Sequence, residues 1–260
     1  MFNFTKKKNI SCQFPVIQFE NFITNKLCTL ISREIVNFNN FDDKVMSARN
    51  RINKGSKNFK NFLKSSPNSN SLYKKINTLK LFKKIFKQLS INSNINWYVE
   101  NNPEYFSKTN FGVQKTTISS FLKSFFTNFF YKPILNLDID FSLSEYGYNR
   151  SPHRDRDTRI LSFLIYFNSI DKKYGGAFEI YDLKNKFYQS RKKLIFPQSP
   201  KKKSLNLLKS INPKKGKMIA FLSTPNSYHA AARFLSKEKR RIFMYASFSL
   251  NKKVRWKYLN

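Results

Sequence analysis

The chain holds two histidines in 260 residues, and the surroundings of both point to a metal. His153 stands in Pro152-His153-Arg154-Asp155, and His229 follows Ser227-Tyr228. His153 and Asp155 are two positions apart. On an extended backbone side chains alternate, so both would point to one face and could take adjacent corners of one ion. His229, 76 residues beyond His153, could complete a facial set of two imidazoles and one carboxylate. That set leaves three coordination positions open and suits a non-haem ferrous ion. Each piece also has an ordinary reading. A lone histidine is usually structural, an H-x-D triplet arises by chance, and Asp157 shares the strand parity of Asp155. The whole set, in order and on sites fixed by the strand pattern, favours Fe(II).

The elements that must carry these residues are strands. After Pro133, Leu135, Leu137, Ile139, Phe141 and Leu143 alternate with Asn136, Asp138, Asp140 and Ser142, the period of a half-buried strand. Its polar residues Asn136, Asp138 and Asp140 line a pocket or face water. Ile160 to Phe167 is continuously apolar, so a strand buried on both faces. Ala177 to Tyr181, Met218 to Leu222 and Ile242 to Leu250 follow as strands. Gly147, Gly175, Gly176 and Gly216 mark turns; these are four of only six glycines. Short strands in succession with few helices between them predict an antiparallel sandwich or barrel.

The first half reads differently. Phe22, Ile23, Leu27, Leu30, Ile31 and Ile35 recur at helical spacing, as do residues from Leu79 to Leu89 and from Thr116 to Phe130. Lys64 to Ser71 has loop or linker chemistry. No internal repeat is present.

Composition narrows the class. With 40% hydrophobic and 17% aromatic residues, the chain can bury a core. No apolar run approaches the ~20 residues needed to cross a bilayer. No apolar stretch follows Lys6 to Lys8, so no secretory signal is expected. Two cysteines, Cys12 and Cys28, make neither a disulfide framework nor a zinc site. A cytoplasmic location is expected. The formal net charge of +34 suggests a nucleic-acid partner if taken literally. The basic residues are spread along a chain also rich in Asn, Ile and Phe, all residues with AT-rich codons. The charge is therefore read as largely compositional, with nucleic acid unfavoured as partner though not excluded by charge.

Residues from about 133 to 250 resemble the double-stranded β-helix core of Fe(II)/2-oxoglutarate dioxygenases, in particular the prolyl-4-hydroxylase-like branch. The resemblance is carried by SPHRD, RILSFLIYFN, YGGAFEIY, NPKKGKMIAFL, YHAAARF and KRRIFMYASFSL, in that order. It implies an α+β fold, a jelly-roll core with N-terminal helices packed on its outer sheet. Residues 1–130 would form a helical support, not an independent domain. Residues 131–260 would form the oxygenase core, with a Lys-rich insertion at about 183–212, either surface loop or lid.

The same resemblance implies that His153, Asp155 and His229 hold Fe(II), with no catalytic residue beyond the metal site. It implies 2-oxoglutarate as cosubstrate and O2 as oxidant, with succinate and CO2 released as a substrate is hydroxylated. It places a basic residue on the last core strand to bind the far carboxylate of 2-oxoglutarate, here Arg240 or Arg241. Strand alternation favours Arg241, which shares the mixed face of Phe243, Tyr245, Ser247 and Ser249. The face of Arg240 continues through Ile242, Met244, Ala246 and Phe248, fit for packing under helices. Both arginines could instead belong to a solvated basic run, Lys237 to Arg241. The family often has a small hydroxyl residue two positions after its basic residue; Ile242 or Phe243 stands there. Tyr148 is a further candidate contact to cosubstrate or substrate, or a packed aromatic. The substrate is either a protein side chain or a small metabolite. The competing reading is a basic, non-catalytic nucleic-acid-binding protein.

Overall fold

A computed structural model describes residues 2–42, 48–91, 97–99, 135–184, 204–250, 253–254 and 256–258. The period-two stretches of the second half form the centre of two antiparallel sheets. Strands β1 (Lys7–Ile10), β2 (Val16–Phe19) and β3 (Arg49–Asn53) come from the N-terminal region, with α1 (Asn25–Asn37) between β2 and β3. Helices α2 (Lys57–Ser65), α3 (Pro67–Ile76) and α4 (Leu79–Ile91) follow, then β4 (Trp97–Val99). The core strands are β5 (Leu135–Ser144), β6 (Arg150–His153), β7 (Arg159–Tyr166), β8 (Phe178–Leu183), β9 (Leu205–Ile211), β10 (Met218–Leu222), β11 (His229–Ala231) and β12 (Arg241–Leu250). A final strand, β13 (Trp256–Tyr258), pairs with β4.

The larger sheet runs β1-β2-β10-β7-β12-β5-β3, and the smaller runs β6-β11-β8-β9. Together they form the jelly-roll core. Leu164, Tyr166, Ile219, Phe221 and Phe243 of the larger sheet pack with Phe178, Ile180 and Ile211 of the smaller in one cluster. The other face of the larger sheet is covered by the helices. Ile242, Met244, Ala246, Phe248 and Leu250 join Cys28, Ile31 and Ile35 of α1, Phe59 and Phe62 of α2, and Phe82 of α4 in the main core. The last core strand thus divides by parity as expected. β7 is buried on both faces, which explains its unbroken apolar run.

Local chemistry sets the helix starts. Thr24 and Ser56 accept hydrogen bonds from the amides of Leu27 and Phe59, capping α1 and α2. The stretch Lys64 to Ser71, expected to be a loop, is instead the end of α2 and the start of α3. Pro67 occupies a first-turn position of α3, where its missing N–H costs nothing. The Glu34 carboxylate of α1 then accepts the amides of Asn68 and Ser69 at 2.9 and 2.8 Å. A linker-like sequence becomes a helix because another element satisfies its free amides.

Two further differences concern strands. β1 to β3 were not foreseen, being short and without apolar alternation. Within the stretch 183–212, residues 205–211 form β9, which pairs with β8 at the edge of the smaller sheet. Residues 185–203 lie outside the described residues, as does the helical pattern at Thr116 to Phe130.

Phe248 tests the helix-to-sheet packing. It is fully buried, with its ring 5.2 Å from Phe82 of α4 and 5.9 Å from Phe163 of β7. Phe248→Ala should lower stability by about 3–5 kcal/mol, read from the midpoint of a urea denaturation curve.

Candidate metal centre

His153 ends β6, and His229 begins β11. The two strands pair so that these residues stand directly opposite each other. Their ring centroids are 4.4 Å apart. Asp155 lies just past the end of β6, within reach of both. One donor atom from each of His153, Asp155 and His229 falls within 4.8 Å of the others. Asp157 is no part of this group; its carboxylate pairs with Arg154 at 3.3 Å and Lys253 at 3.4 Å.

The two imidazoles are oriented alike. The Nδ1 of His153 lies 2.9 Å from the carbonyl of Ser151, and that of His229 lies 2.9 Å from the carbonyl of Ser227. A carbonyl only accepts, so Nδ1 carries the hydrogen in both rings and Nε2 keeps its lone pair. Burial is the main reason that both imidazoles titrate below the ordinary histidine range. His153 is pushed well below, with help from His229 and Arg150. At neutral pH both rings are therefore uncharged, the state that metal binding requires.

Asp155 is held as a carboxylate. Burial would raise its pKa, but Arg159 above all, then the two histidines and Ser162, keep it well below the usual carboxylate range. Arg159 donates to Oδ1 at 2.6 Å, Ser162 to Oδ2 at 2.6 Å and the Tyr245 hydroxyl to Oδ2 at 2.8 Å. Oδ2 is thereby saturated, and the spare lone pair is on Oδ1. Such partners fix the direction of a ligating carboxylate. Sequence reasoning placed Tyr245 on the inner face but missed its bond to Asp155, and it missed Arg159 and Ser162 altogether. An arginine four residues after the H-x-D aspartate, in a chain that otherwise prefers lysine, was the available signal for Arg159.

His153, Asp155, His229, Arg159 and Tyr245 line a cavity of about 310 Å³ between the two sheets. Arg241 and Tyr148 also line it, both nearly fully buried. Arg240 does not: its side chain is 51% exposed and lies 3.8 Å from Glu145. The Arg241 guanidinium lies 4.4 Å from the centroid of the Phe243 ring, 5.5 Å from Tyr166 and 5.8 Å from Tyr148. Its Nε and Nη1 find no acceptor among the described residues. An aromatic box thus holds a cation that makes no ion pair among the described residues. The Gly175-Gly176 turn makes the room. Both glycines have positive φ, and a Cβ on Gly175 would stand 2.1 Å from the Arg233 carbonyl. A Cβ on Gly176 would stand 3.3 Å from Cδ of Arg241.

Of the polar face of β5, Asp140 lines the cavity and accepts from Arg49 of β3 at 2.7 Å. Asp138 is exposed and accepts from Ser249 at 3.0 Å. Arg49 and its neighbour Arg51 were not foreseen as site residues, because β3 was not foreseen as a strand.

The donor set fits a divalent ion. Two neutral imidazoles and a held carboxylate converge, and the same cavity holds a buried guanidinium that makes no ion pair among the described residues. Replacing Tyr245 by Phe removes one donor to Asp155 and the acceptor of an Arg159 hydrogen bond, 2.9 Å long. Tyr245→Phe should lower stability by about 1–3 kcal/mol, measured by chemical denaturation with no metal added.

Residues 141–247 match the model of the 2OG-Fe(II) oxygenase superfamily. Among solved structures, the fold is similar to that of a prolyl 4-hydroxylase from Phytophthora capsici, with a TM-score of 0.53 and 9% identity over 92% of this chain and 60% of that one. This chain thus corresponds to less than two thirds of that chain's length. The fold is also similar to HygX from Streptomyces hygroscopicus, solved with nickel and 2-oxoglutarate bound, with a TM-score of 0.51 and 9% identity over 92% and 84% of the two chains. A sequence search of curated proteins finds no match. No described helix is long and apolar enough to cross a membrane.

Proposed function

Since the chain carries a 2OG-Fe(II) oxygenase domain at residues 141–247, we propose that His153, Asp155 and His229 hold its iron and that Arg241 binds the far carboxylate of 2-oxoglutarate. The observation that carries this reading is the convergence of three side chains able to ligate a metal in one cavity with a buried arginine that makes no ion pair among the described residues. The enzyme is an oxidoreductase. Bound Fe(II), with 2-oxoglutarate and O2, supplies the oxidising power for hydroxylation, and succinate and CO2 leave.

The residues of the chain have separable tasks in this reading. His153 and His229 present Nε2, their Nδ1 hydrogens being tied to backbone carbonyls. Asp155 presents Oδ1, its direction set by Arg159, Ser162 and Tyr245. Arg241 offers a planar fork to a carboxylate, and that pairing offsets the cost of burying both charges. Phe243, which stands where a small hydroxyl residue is common in the family, supports the guanidinium from one face instead of sharing the carboxylate. Tyr148 closes another side of the same box, and we assign it to shaping the cosubstrate site. Free Cys12 and Cys28 accord with a reducing, cytoplasmic location.

Two measurements test the assignment. His229→Ala should weaken Fe(II) binding by at least about 100-fold, since even partners outside the ligand set contribute 10- to 100-fold; titration under nitrogen reads the stoichiometry, and unchanged affinity would exclude His229 as a ligand. Arg241→Ala should raise the 2-oxoglutarate concentration needed for half-maximal succinate release by about 10- to 100-fold, while Arg240→Ala should change it less than about twofold. The reverse order would reject the parity assignment.

A further inference from the structure

The two sheets divide the work of holding the metal-site side chains. His153 and His229 belong to β6 and β11 of the smaller sheet. The carboxylate of Asp155 is instead held from the larger sheet, by Arg159 and Ser162 of β7 and Tyr245 of β12.

The hydrogens around this carboxylate can be assigned one by one. Nη1 of Arg159 lies 2.6 Å from Asp155 Oδ1 and 2.9 Å from the Tyr245 oxygen. A guanidinium only donates, so the tyrosine oxygen accepts and its single hydrogen turns elsewhere. Asp155 Oδ2 receives that hydrogen at 2.8 Å, in preference to Ser162 at 3.2 Å. Ser162 directs its own hydrogen to the same Oδ2 at 2.6 Å. Ser223, 3.1 Å from Ser162, must then be the donor of that pair. Every hydrogen in the set runs toward Asp155, and Ser162 and Ser223 are buried with it.

The result is asymmetric. Oδ2 meets two donors and has no lone pair left, whereas Oδ1 meets one and keeps a lone pair. Aiming a carboxylate needs a partner on either oxygen; using up both lone pairs of one oxygen does more. A carboxylate can bind a metal through one oxygen or through both. The second mode is closed while Oδ2 is fully used.

We propose that Ser162 and Tyr245 are positioning residues that hold Asp155 to one metal-ligating oxygen and so keep open the coordination position that O2 needs. The inference rests on the proposed function for the metal and the cosubstrate. Three protein donor atoms leave three positions on the ion, two for chelating 2-oxoglutarate and one for O2. A second Asp155 oxygen would be a fourth protein donor. The cosubstrate chelates and is anchored by Arg241, so a fourth donor displaces O2 rather than the cosubstrate.

The test uses the full chain carrying Ser162→Ala, Tyr245→Phe or both, loaded with Fe(II) and 2-oxoglutarate under nitrogen. Nitric oxide serves as the probe for the O2 position and is titrated by the electron paramagnetic resonance signal of its iron complex. The double variant should bind nitric oxide about tenfold or more weakly than the wild type, and each single variant should lose less. Fe(II) and 2-oxoglutarate affinities should change less than about threefold, because the freed oxygen replaces as a ligand what its partners gave as support. Those retained affinities also show that the variants are folded, and the single variants decide the matter if the double variant does not fold. A crystal structure of the nickel-loaded double variant should show both Asp155 oxygens on the ion. Partners with a merely supporting role would give a different result, a loss of Fe(II) affinity of about 10- to 100-fold with nitric oxide binding unchanged. That outcome, or an Asp155 still bound through one oxygen, would overturn the proposal. A wild-type chain that binds neither Fe(II) nor 2-oxoglutarate would defeat the proposed function and this inference with it. A wild-type chain that binds both, with variants that take nitric oxide equally well, would defeat this inference alone.

Discussion

The pairing of β6 with β11, which sets His153 directly opposite His229, is the constraint on which the site depends. Facing residues of an antiparallel pair bring their Cβ atoms close enough for two rings to meet. One register thus joins two stretches 76 residues apart, with no need for either histidine to be on a flexible loop. The backbone carbonyls of Ser151 and Ser227 then give both rings the same tautomer. A slip of one residue would send one ring to the other face and break the convergence. The same sheet continues through β8 to β9, so the metal-side strands are braced from the far edge as well.

Around that register, burial of charge is managed in two opposite ways. Asp155 with Arg159, and Asp140 with Arg49, are closed pairs whose hydrogen bonds offset their desolvation. Arg241 is left open, surrounded by the faces of Tyr148, Tyr166 and Phe243. Aromatic faces soften the cost of burying a cation without neutralising it. An open, rigid guanidinium is a liability to stability and an asset to binding, because the ligand that completes it need not reorganise the protein. The closed pairs give rigidity; the open one gives affinity.

Much of this was legible in the sequence, for identifiable reasons. β5, β7, β10 and β12 announce themselves by alternation or by an unbroken apolar run, and the parity of β12 separates Arg241 from Arg240. The H-x-D triplet and the second histidine were visible because histidine is so rare here. β1, β2 and β3 were hidden, since each has only four or five residues, β2 and β3 are placed by partners about 90 to 200 positions away, and β1 pairs only with β2. The start of α3 was hidden because its amides are satisfied by Glu34, a residue no local window includes. Arg159, Ser162 and Tyr245 could not be joined to Asp155 without knowing that β7 and β12 are neighbours.

Composition bias is best treated as a baseline from which individual residues depart. A chain that uses lysine three times as often as arginine offers lysine wherever a positive charge alone suffices, as on its surface. Arginine then persists where its geometry matters: a fixed planar fork, weak hydration and the ability to stack on rings. Each described property of the cavity uses one of these. Arg159 and Arg49 each serve a carboxylate and a hydroxyl together, Asp155 with Tyr245 and Asp140 with Ser142, Arg241 and Arg49 lie over Phe243, and Arg51 keeps a buried Nε that a lysine would not have. Replacement of any of them by lysine would preserve the net charge and lose the contact. The motif R-x-R at Arg49 and Arg51, unremarkable in a balanced sequence, is informative in this one, because the background would have supplied lysine at both positions.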